Sequence, residues 1–447
     1  MQTIKRGNLP LTLLQEILYS LEIRVPGCQN CSEAYRLRGP VNESALRASV
    51  AALVQRHDAL RTVFQTTNDL PRAAITQTSE VPIELRREIN LELATHLVRQ
   101  ERLRGFDLSS ALPFRVLLLE LARDDHFLVV TFCHLVVDQV SVVLFMRELA
   151  HFYNALADGE VPSPLPRPMQ SWEWLRREKS LAISKAFPAK AWFWTKKLSS
   201  MVMSPLPTDL EPGAEPIFHT DRQSITIQAG SLDLLKRSAR EHGVTLFTVV
   251  LALCKIMLAR FSGRWNVALF VPFHNRLRPQ STGVMGCLAM PLPLLVDFSP
   301  EMGFDNALKL VQAAMAEAID NRDGLKLFQP SVAKSFMDFG NRKGPLPSHR
   351  TLPMVNYLVD APRLELKGLA ATSLELVRPD EFYKDLYFEF LQTLERDKLT
   401  LYVCYNPQLF KKATMSRLAE EFRCLSDESA AHPKASVGAL AKQFFQR

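Results

Sequence analysis

His134 and Asp138 stand four residues apart in "FCHLVVDQVS" (132–141). The apolar run "HFLVVTF" leads into them, and "VSVVLFMRELAHFYNAL", with helical spacing, follows. The pair therefore falls where a strand hands over to a helix. A histidine at a strand end has its backbone held by the sheet while its ring stands in a cleft. Imidazole titrates near neutral pH and can take a proton from an attacking amine or hydroxyl. A nearby carboxylate would fix the local geometry, either through the ring or through a basic partner. Of the ten histidines, only His134 has an aspartate four residues later.

The elements that must position this pair can be read from pattern. "FRVLLLELA" and "HFLVVTF" read as neighbouring strands joined by "ARDD". "VNESALRASVAALVQRHDALRTVF" reads as a helix with Asn42 as its N-cap and Leu46, Val50, Leu53 and Val54 at helical spacing. Further on, Ser231 is expected to open a helix that Gly243 stops, and Thr245 to cap the next, buried one. "WNVALFVPF" reads as a strand, "DLYFEFLQTL" and "KLTLYVCYN" as a hairpin, and "TMSRLAEEFRCLSDESA" as a closing helix. Alternating prolines at 162, 164, 166 and 168 forbid regular structure and mark a linker. We place an N-terminal lobe at 1–160, the linker at 161–171 and a C-terminal lobe at 172–447. Strands mixed with helices in both lobes point to an α+β or α/β architecture.

A chain of 447 residues is long for one core, which agrees with two lobes. Hydrophobic residues make up 47% and charged residues 23%, a globular balance. "GVTLFTVVLALCKIMLARFSG" (243–263) is interrupted by Lys255 and Arg260, short of the roughly 18–20 uninterrupted apolar residues of a membrane span. The first residues show no secretory signal, and seven dispersed cysteines fit reduced thiols; both lead us to expect a cytoplasmic protein with no membrane partner. Cys28 and Cys31 have metal-ligand spacing, but neither a second pair nor a nearby histidine completes a site, so we expect no metal. The 54 Lys and Arg are spread without a basic block, which argues against a nucleic-acid partner. The net charge of +7 would favour a partner of negative charge.

With these residues in view, "CHLVVDQVS" resembles the HHxxxDG motif of nonribosomal peptide synthetase condensation domains, members of the chloramphenicol-acetyltransferase-like superfamily. "LPLTLLQEILY" (9–19) resembles the opening motif of that family, with Gln15 in place, and "RLRGPVNESALRASVAALVQRHDALRTVF" (36–64) its second. "FDLSSALPFRVLLLEL" (106–121), "FWTKKL" (193–198) and "PLPTD" (205–209) are similar as well. So are "NRLRPQSTGVMGCL" (275–288), with Arg276 at the motif arginine, and "LPMVNYLVD" (352–360), with Asn356 and Tyr357 matching. The resemblance runs in order along nearly the whole chain.

The resemblance implies an α+β fold, an α/β sandwich, of two chloramphenicol-acetyltransferase-like lobes in a V around a central tunnel. A carrier protein docks at each mouth and presents its substrate on a phosphopantetheine arm. An acyl group passes to an amine or hydroxyl of a small-molecule or carrier-bound acceptor, with no bound cofactor and no metal. By position, His134 is the general base or the group that orients the nucleophile. Asp138 matches the motif aspartate, and Arg61 the arginine that pairs with it to hold the loop. Arg276 is expected to be structural. The substrate-facing set is Cys133, Gln139, Ser141, Asn356 and Tyr357. Acidic carriers would suit the basic chain.

Three positions depart from the family pattern: Cys133 replaces the first motif histidine, Gln139 the motif glycine, and Met290 a frequent asparagine. They keep alive a second reading, a catalytically silent domain that recruits a partner enzyme to a carrier. A third reading, an acyl-CoA-dependent acyltransferase, draws on the shared HxxxD and on "DFGNRKG" (338–344), which lacks the expected tryptophan. No adenylation or phosphopantetheine-accepting segment is apparent, and Met1 and "KQFFQR" have the look of natural ends, so the expectation is a free-standing condensation enzyme.

Overall fold

The computed structural model describes residues 3–67, 70–78, 81–182, 185–199, 206–211, 220–328, 330–331, 352–359, 364–374, 385–394 and 397–442. "DFGNRKG" and Pro205 lie outside these residues.

The run "HFLVVTF" belongs to strand Asp125–Cys133, the middle of a five-stranded sheet. The order is Ala370–Ser373, Asn30–Arg38, Asp125–Cys133, Phe114–Ala122, Ile83–Arg86. The run is continuously apolar because both of its faces are buried. Leu128, Val130 and Phe132 enter the larger core beneath helices Leu13–Arg24, Glu43–Arg56 and Gln139–Ala157. Phe127 and Val129 pack on Ala94 and Val98 of helix Leu91–Leu103. The Phe145 ring meets Phe132 edge-on at 4.9 Å, which seats the helix that follows the HxxxD stretch on the strand that precedes it. Asn42 caps Glu43–Arg56 through its side chain, as expected. Strands Thr3–Leu9, Leu70–Gln77 and Thr62–Thr67 form a separate three-stranded sheet.

The downstream sheet has six strands, ordered Met290–Leu294, Leu269–Phe273, Met354–Val359, Leu386–Thr393, Lys398–Tyr405, Asp221–Ile227. The expected hairpin is present as Leu386–Thr393 against Lys398–Tyr405. Phe388, Phe390, Leu401 and Val403 face a core built with helices Ala229–Glu241, Leu246–Ser262, Phe304–Asn321 and Lys412–Ala431. Tyr387, Leu391, Tyr402 and Cys404 point to the other face. Helix Leu246–Ser262 is apolar nearly all round because it is buried nearly all round. Thr245 caps it, and Gly263, at φ +70°, closes it in the left-handed conformation glycine tolerates best. The preceding helix starts at Ala229 behind Gln228, two residues before the expected Ser231. The Ser231 hydroxyl is bonded instead to Asp427 of the closing helix. No single described helix is long and apolar enough to cross a membrane.

Residues 158–170 carry no helix or strand. The chain does not divide cleanly at this linker. Strand Ala370–Ser373 pairs with Asn30–Arg38, and Met285, Cys287, Leu364 and Leu366 pack into the N-terminal core. Two segments of the downstream half therefore complete the upstream one.

Candidate functional site

Strand Asp125–Cys133 ends in a turn whose backbone closes from Val136 N–H to the Cys133 carbonyl at 3.1 Å. Gln15 ties this turn to the first helix. Its Oε1 accepts from Thr12 N–H at 2.9 Å in a reciprocal capping box, and its Nε2 donates to the Leu135 carbonyl at 2.8 Å. The turn stops at Asp138, whose Oδ1 accepts from Ser141 N–H at 3.0 Å and caps helix Gln139–Ala157. Between these anchors, His134 Nδ1 lies 2.7 Å from the Val137 carbonyl. A carbonyl only accepts, so Nδ1 carries the proton and the lone pair of the neutral ring is on Nε2. Nε2 hydrogen-bonds to no described residue.

Asp138 is 3% exposed and its carboxylate is saturated. Arg276 holds it in a two-pronged ion pair, Nη1 to Oδ2 at 2.7 Å and Nη2 to Oδ1 at 2.8 Å. The backbone N–H groups of Leu288 and Ala289 each donate to Oδ2 at 3.1 Å. The guanidinium spends its other hydrogens on the carbonyls of His274, Val284 and Gly286. Two charges out of water need this many partners. The result is a clamp that ties the turn of one sheet to the 275–289 loop after the other sheet's Leu269–Phe273 strand.

The expected Arg61–Asp138 pair is absent. Arg61 pairs with Asp58 and reaches the carbonyls of Thr76 and Gln55. Asp58 also accepts from Trp172 Nε1 at 3.0 Å, while its N–H donates to Gln170 Oε1 at 2.8 Å. Beside them, Arg56 donates to the Pro166 carbonyl at 2.6 Å, and His57 contacts Glu148 at 2.7 Å. "RHDALR" thus fastens the proline-rich linker to the N-terminal core. Arg61 gives its guanidinium to a neighbour three residues away, and the arginine for Asp138 comes from 138 residues downstream. Arg276, expected to be structural, is buried in its pair with Asp138.

A cavity of about 1200 Å³ opens between the two sheets, and His134, Gln139, Asn356 and Tyr357 stand on its wall. Cys133 and Ser141 are not on its wall. Cys133 is 2% exposed and packs with Phe132 and Val136 in the core, and burial pushes its thiol well above the ordinary range. Ser141 is fully buried, its hydroxyl 2.9 Å from both Asp138 Oδ1 and the Gly286 carbonyl, so it supports the clamp and cannot face substrate. Two further cysteines, Cys31 on the wall and Cys287 beside His134, are held as thiols. Burial, then Asp138 and Glu33, push Cys31 up to about 12. Burial and Asp138 raise Cys287, whose Sγ is 4.0 Å from His134 Nδ1. Among the described residues, no group of His, Cys, Asp and Glu could hold a metal ion.

The arrangement sets an imidazole with an unshared Nε2 on the wall of a large cavity. Pattern reading missed three residues on its wall. His274 accepts from Arg276 N–H at Nδ1, 3.1 Å away. Tyr387 accepts from Asn356 Nδ2 at 2.9 Å and donates to Glu389 Oε2 at 3.1 Å. Strand alternation against Phe388 and Phe390 was the available signal for Tyr387 and Glu389. For His274 it was the short step to Arg276.

Comparison with known proteins bears on the family and the fold. The family model described as "Condensation domain" matches residues 5–443. Phosphinothricin tripeptide synthetase PhsC of Streptomyces viridochromogenes is 28% identical over 97% of this chain, which spans 40% of that protein's length. The X-domain from teicoplanin biosynthesis superposes with a TM-score of 0.82 at 22% identity, covering 96% of each chain. The first condensation domain of the calcium-dependent antibiotic synthetase, in complex with a substrate analogue, gives 0.75 at 19% identity, covering 97% of this chain and 99% of the other. These likenesses carry the mixed α+β, chloramphenicol-acetyltransferase-like fold, and with the family match they close the question of kinship: the chain belongs to the condensation-domain family.

Proposed function

We propose that the chain transfers an acyl group from the phosphopantetheine thioester of a carrier protein to an amine or hydroxyl acceptor. The observation that carries this reading is His134, with Nδ1–H spent on the Val137 carbonyl and Nε2 free in a cavity bounded by both sheets. The acceptor nitrogen attacks the thioester carbon while Nε2 takes its proton. The C–N bond forms, the C–S bond breaks, and the proton passes from His134 to the departing thiolate. A hydroxyl acceptor follows the same course to an ester.

No covalent acyl-enzyme is part of the scheme. The thioester is already activated, and burial holds Cys31, Cys133 and Cys287 as thiols. The protein aligns two reactants, a contribution worth up to about 7–11 kcal/mol in ideal cases. Asp138 and Arg276 act by holding the turn. Gln139, where the family pattern has glycine, stands on the cavity wall, where its side chain can narrow the channel or contact a substrate. The net charge of +7 suits an acidic carrier partner.

The test is product formation by mass spectrometry. The chain and His134→Ala are each incubated with acyl-pantetheine or acyl-carrier thioesters and mixed amines and alcohols. We expect a product whose yield falls by about 10²-fold or more in the variant. Equal product in both would remove His134 as the base. Carrier binding without any product would favour the recruitment reading, and turnover of acyl-CoA without a carrier the acyl-CoA reading.

A further inference from the structure

Two imidazoles reach the cavity, each anchored beside one end of the same buried ion pair. His134 lies four residues before Asp138, and His274 two before Arg276. Their hydrogen bonding is of opposite sense. His134 donates from Nδ1 to a carbonyl, which leaves Nε2 as an acceptor. His274 accepts at Nδ1 from Arg276 N–H, so its ring proton is on Nε2 and points the ring's donor away from the backbone. The Arg276 guanidinium also takes the His274 carbonyl at 3.0 Å, which fixes the backbone on both sides of the ring. Phe273 packs against the imidazole at 5.0 Å between centroids. The next residue, Asn275, is held at φ +57° with its Oδ1 accepting from Arg322 Nε at 3.0 Å. The His274 side chain itself is exposed to the cavity.

We propose that His274 is a catalytic hydrogen-bond donor of this site, supplying its Nε2–H to the thioester carbonyl oxygen as negative charge develops there. The inference rests on the acyl-transfer reading above. His134 and His274 then divide the labour as base and electrophile, a split that opposite hydrogen-bond environments commonly produce in one site. His274 transfers no proton: the acceptor's proton goes to His134, and His274 lends a donor to the oxyanion until the C–S bond breaks. Partial desolvation at the cavity wall, and then the Arg276 charge, hold the His274 imidazole below its usual range, against the opposing pull of Asp138. The ring therefore works in its neutral form near neutral pH. Cys133, sealed in the core, offers the cavity no donor of its own.

The experiment compares the full chain with His274→Ala and His274→Gln, using an acyl-pantetheine and an amine that the wild-type chain condenses. Thermal melts of all three check that the fold is kept. Loss of one oxyanion donor typically costs about 10²-fold or more in kcat. We expect a loss of that order in His274→Ala with KM little changed, and partial recovery in His274→Gln, which restores an N–H donor. As a readout apart from turnover, ¹⁵N-histidine spectra should show His274 protonated at Nε2 and His134 at Nδ1. The His274 Nε2–H should shift when an acyl-pantetheine ketone, with CH₂ in place of sulfur, is added. Unchanged kcat in His274→Ala, or a His274 ring protonated at Nδ1, overturns the inference and leaves the acyl-transfer reading standing. A wild-type chain that forms no product in any pairing overturns both.

Discussion

Replacing Arg276 by methionine keeps most of the side-chain length and removes the guanidinium. Two charge-assisted hydrogen bonds to Asp138, at 2.7 and 2.8 Å, are lost, and the carbonyls of His274, Val284 and Gly286 lose a donor. Breaking a buried pair from one side costs about 3–5 kcal/mol, because the remaining charge is stranded. Asp138 keeps the backbone donors of Ser141, Leu288 and Ala289, which sets the expectation at the lower end, about 3 kcal/mol. The assay is a double-mutant cycle in urea unfolding with Asp138→Asn, Arg276→Met and Arg61→Met. Asp138 and Arg276 should couple by about 2 kcal/mol or more, within the range for residues of one network. Asp138 and Arg61 share no partner, and their effects should add to within about 0.5 kcal/mol. Acyl transfer should fall with Arg276→Met as well, since the turn that aims His134 loses its tie to the opposite sheet. Coupling to Arg61 as large as that to Arg276 would refute the assignment, and so would purely additive effects of Asp138 and Arg276.

Cys133→Ala should cost about 1 kcal/mol or somewhat more, as expected for trimming a buried side chain, and leave turnover largely intact; loss of turnover in a folded variant would place that residue in the chemistry. Alkylating reagents should label Cys133 only on unfolding, and fast labelling of the native chain would contradict its burial. Glu148 makes a third case. Burial opposes its ionisation, but His57 and Arg56 outweigh that and hold its carboxyl below the usual 4.5. A depressed carboxyl stabilises the fold fully above about pH 4.5 and loses that contribution as pH falls through the folded value. Glu148→Gln should therefore flatten the acid limb of a stability–pH profile and cost about 1–3 kcal/mol at neutral pH. An unchanged acid limb would show that the carboxylate is not held as described.

Most of what depends on short range was legible in the residues themselves, the helix start at Ala229 excepted. Asn42 and Thr245 cap helices because each oxygen meets an N–H three residues on. The strands Phe114–Ala122 and Asp125–Cys133 follow from apolar runs and a short turn. Placing His134 and Asp138 between a strand and a helix needed nothing but the change of period around them. Motif resemblance extended this to the family, and so to the expectation of a base at His134. Partner choice across the molecule was another matter. Position in a motif assigned Asp138 to Arg61, yet Arg61 is taken by Asp58 and the linker, and the ion pair closes over 138 residues to Arg276. Cys133 entered the core because the chain turns at the last residue of its strand, and Ser141 was drawn into the clamp by the Gly286 carbonyl. His274 became part of the cavity only when the two sheets met. Local hydrogen bonds and period are encoded within a few residues, whereas the partner of a buried charge is whichever group the packed sheets bring within 3 Å of it, and that is decided when the core closes.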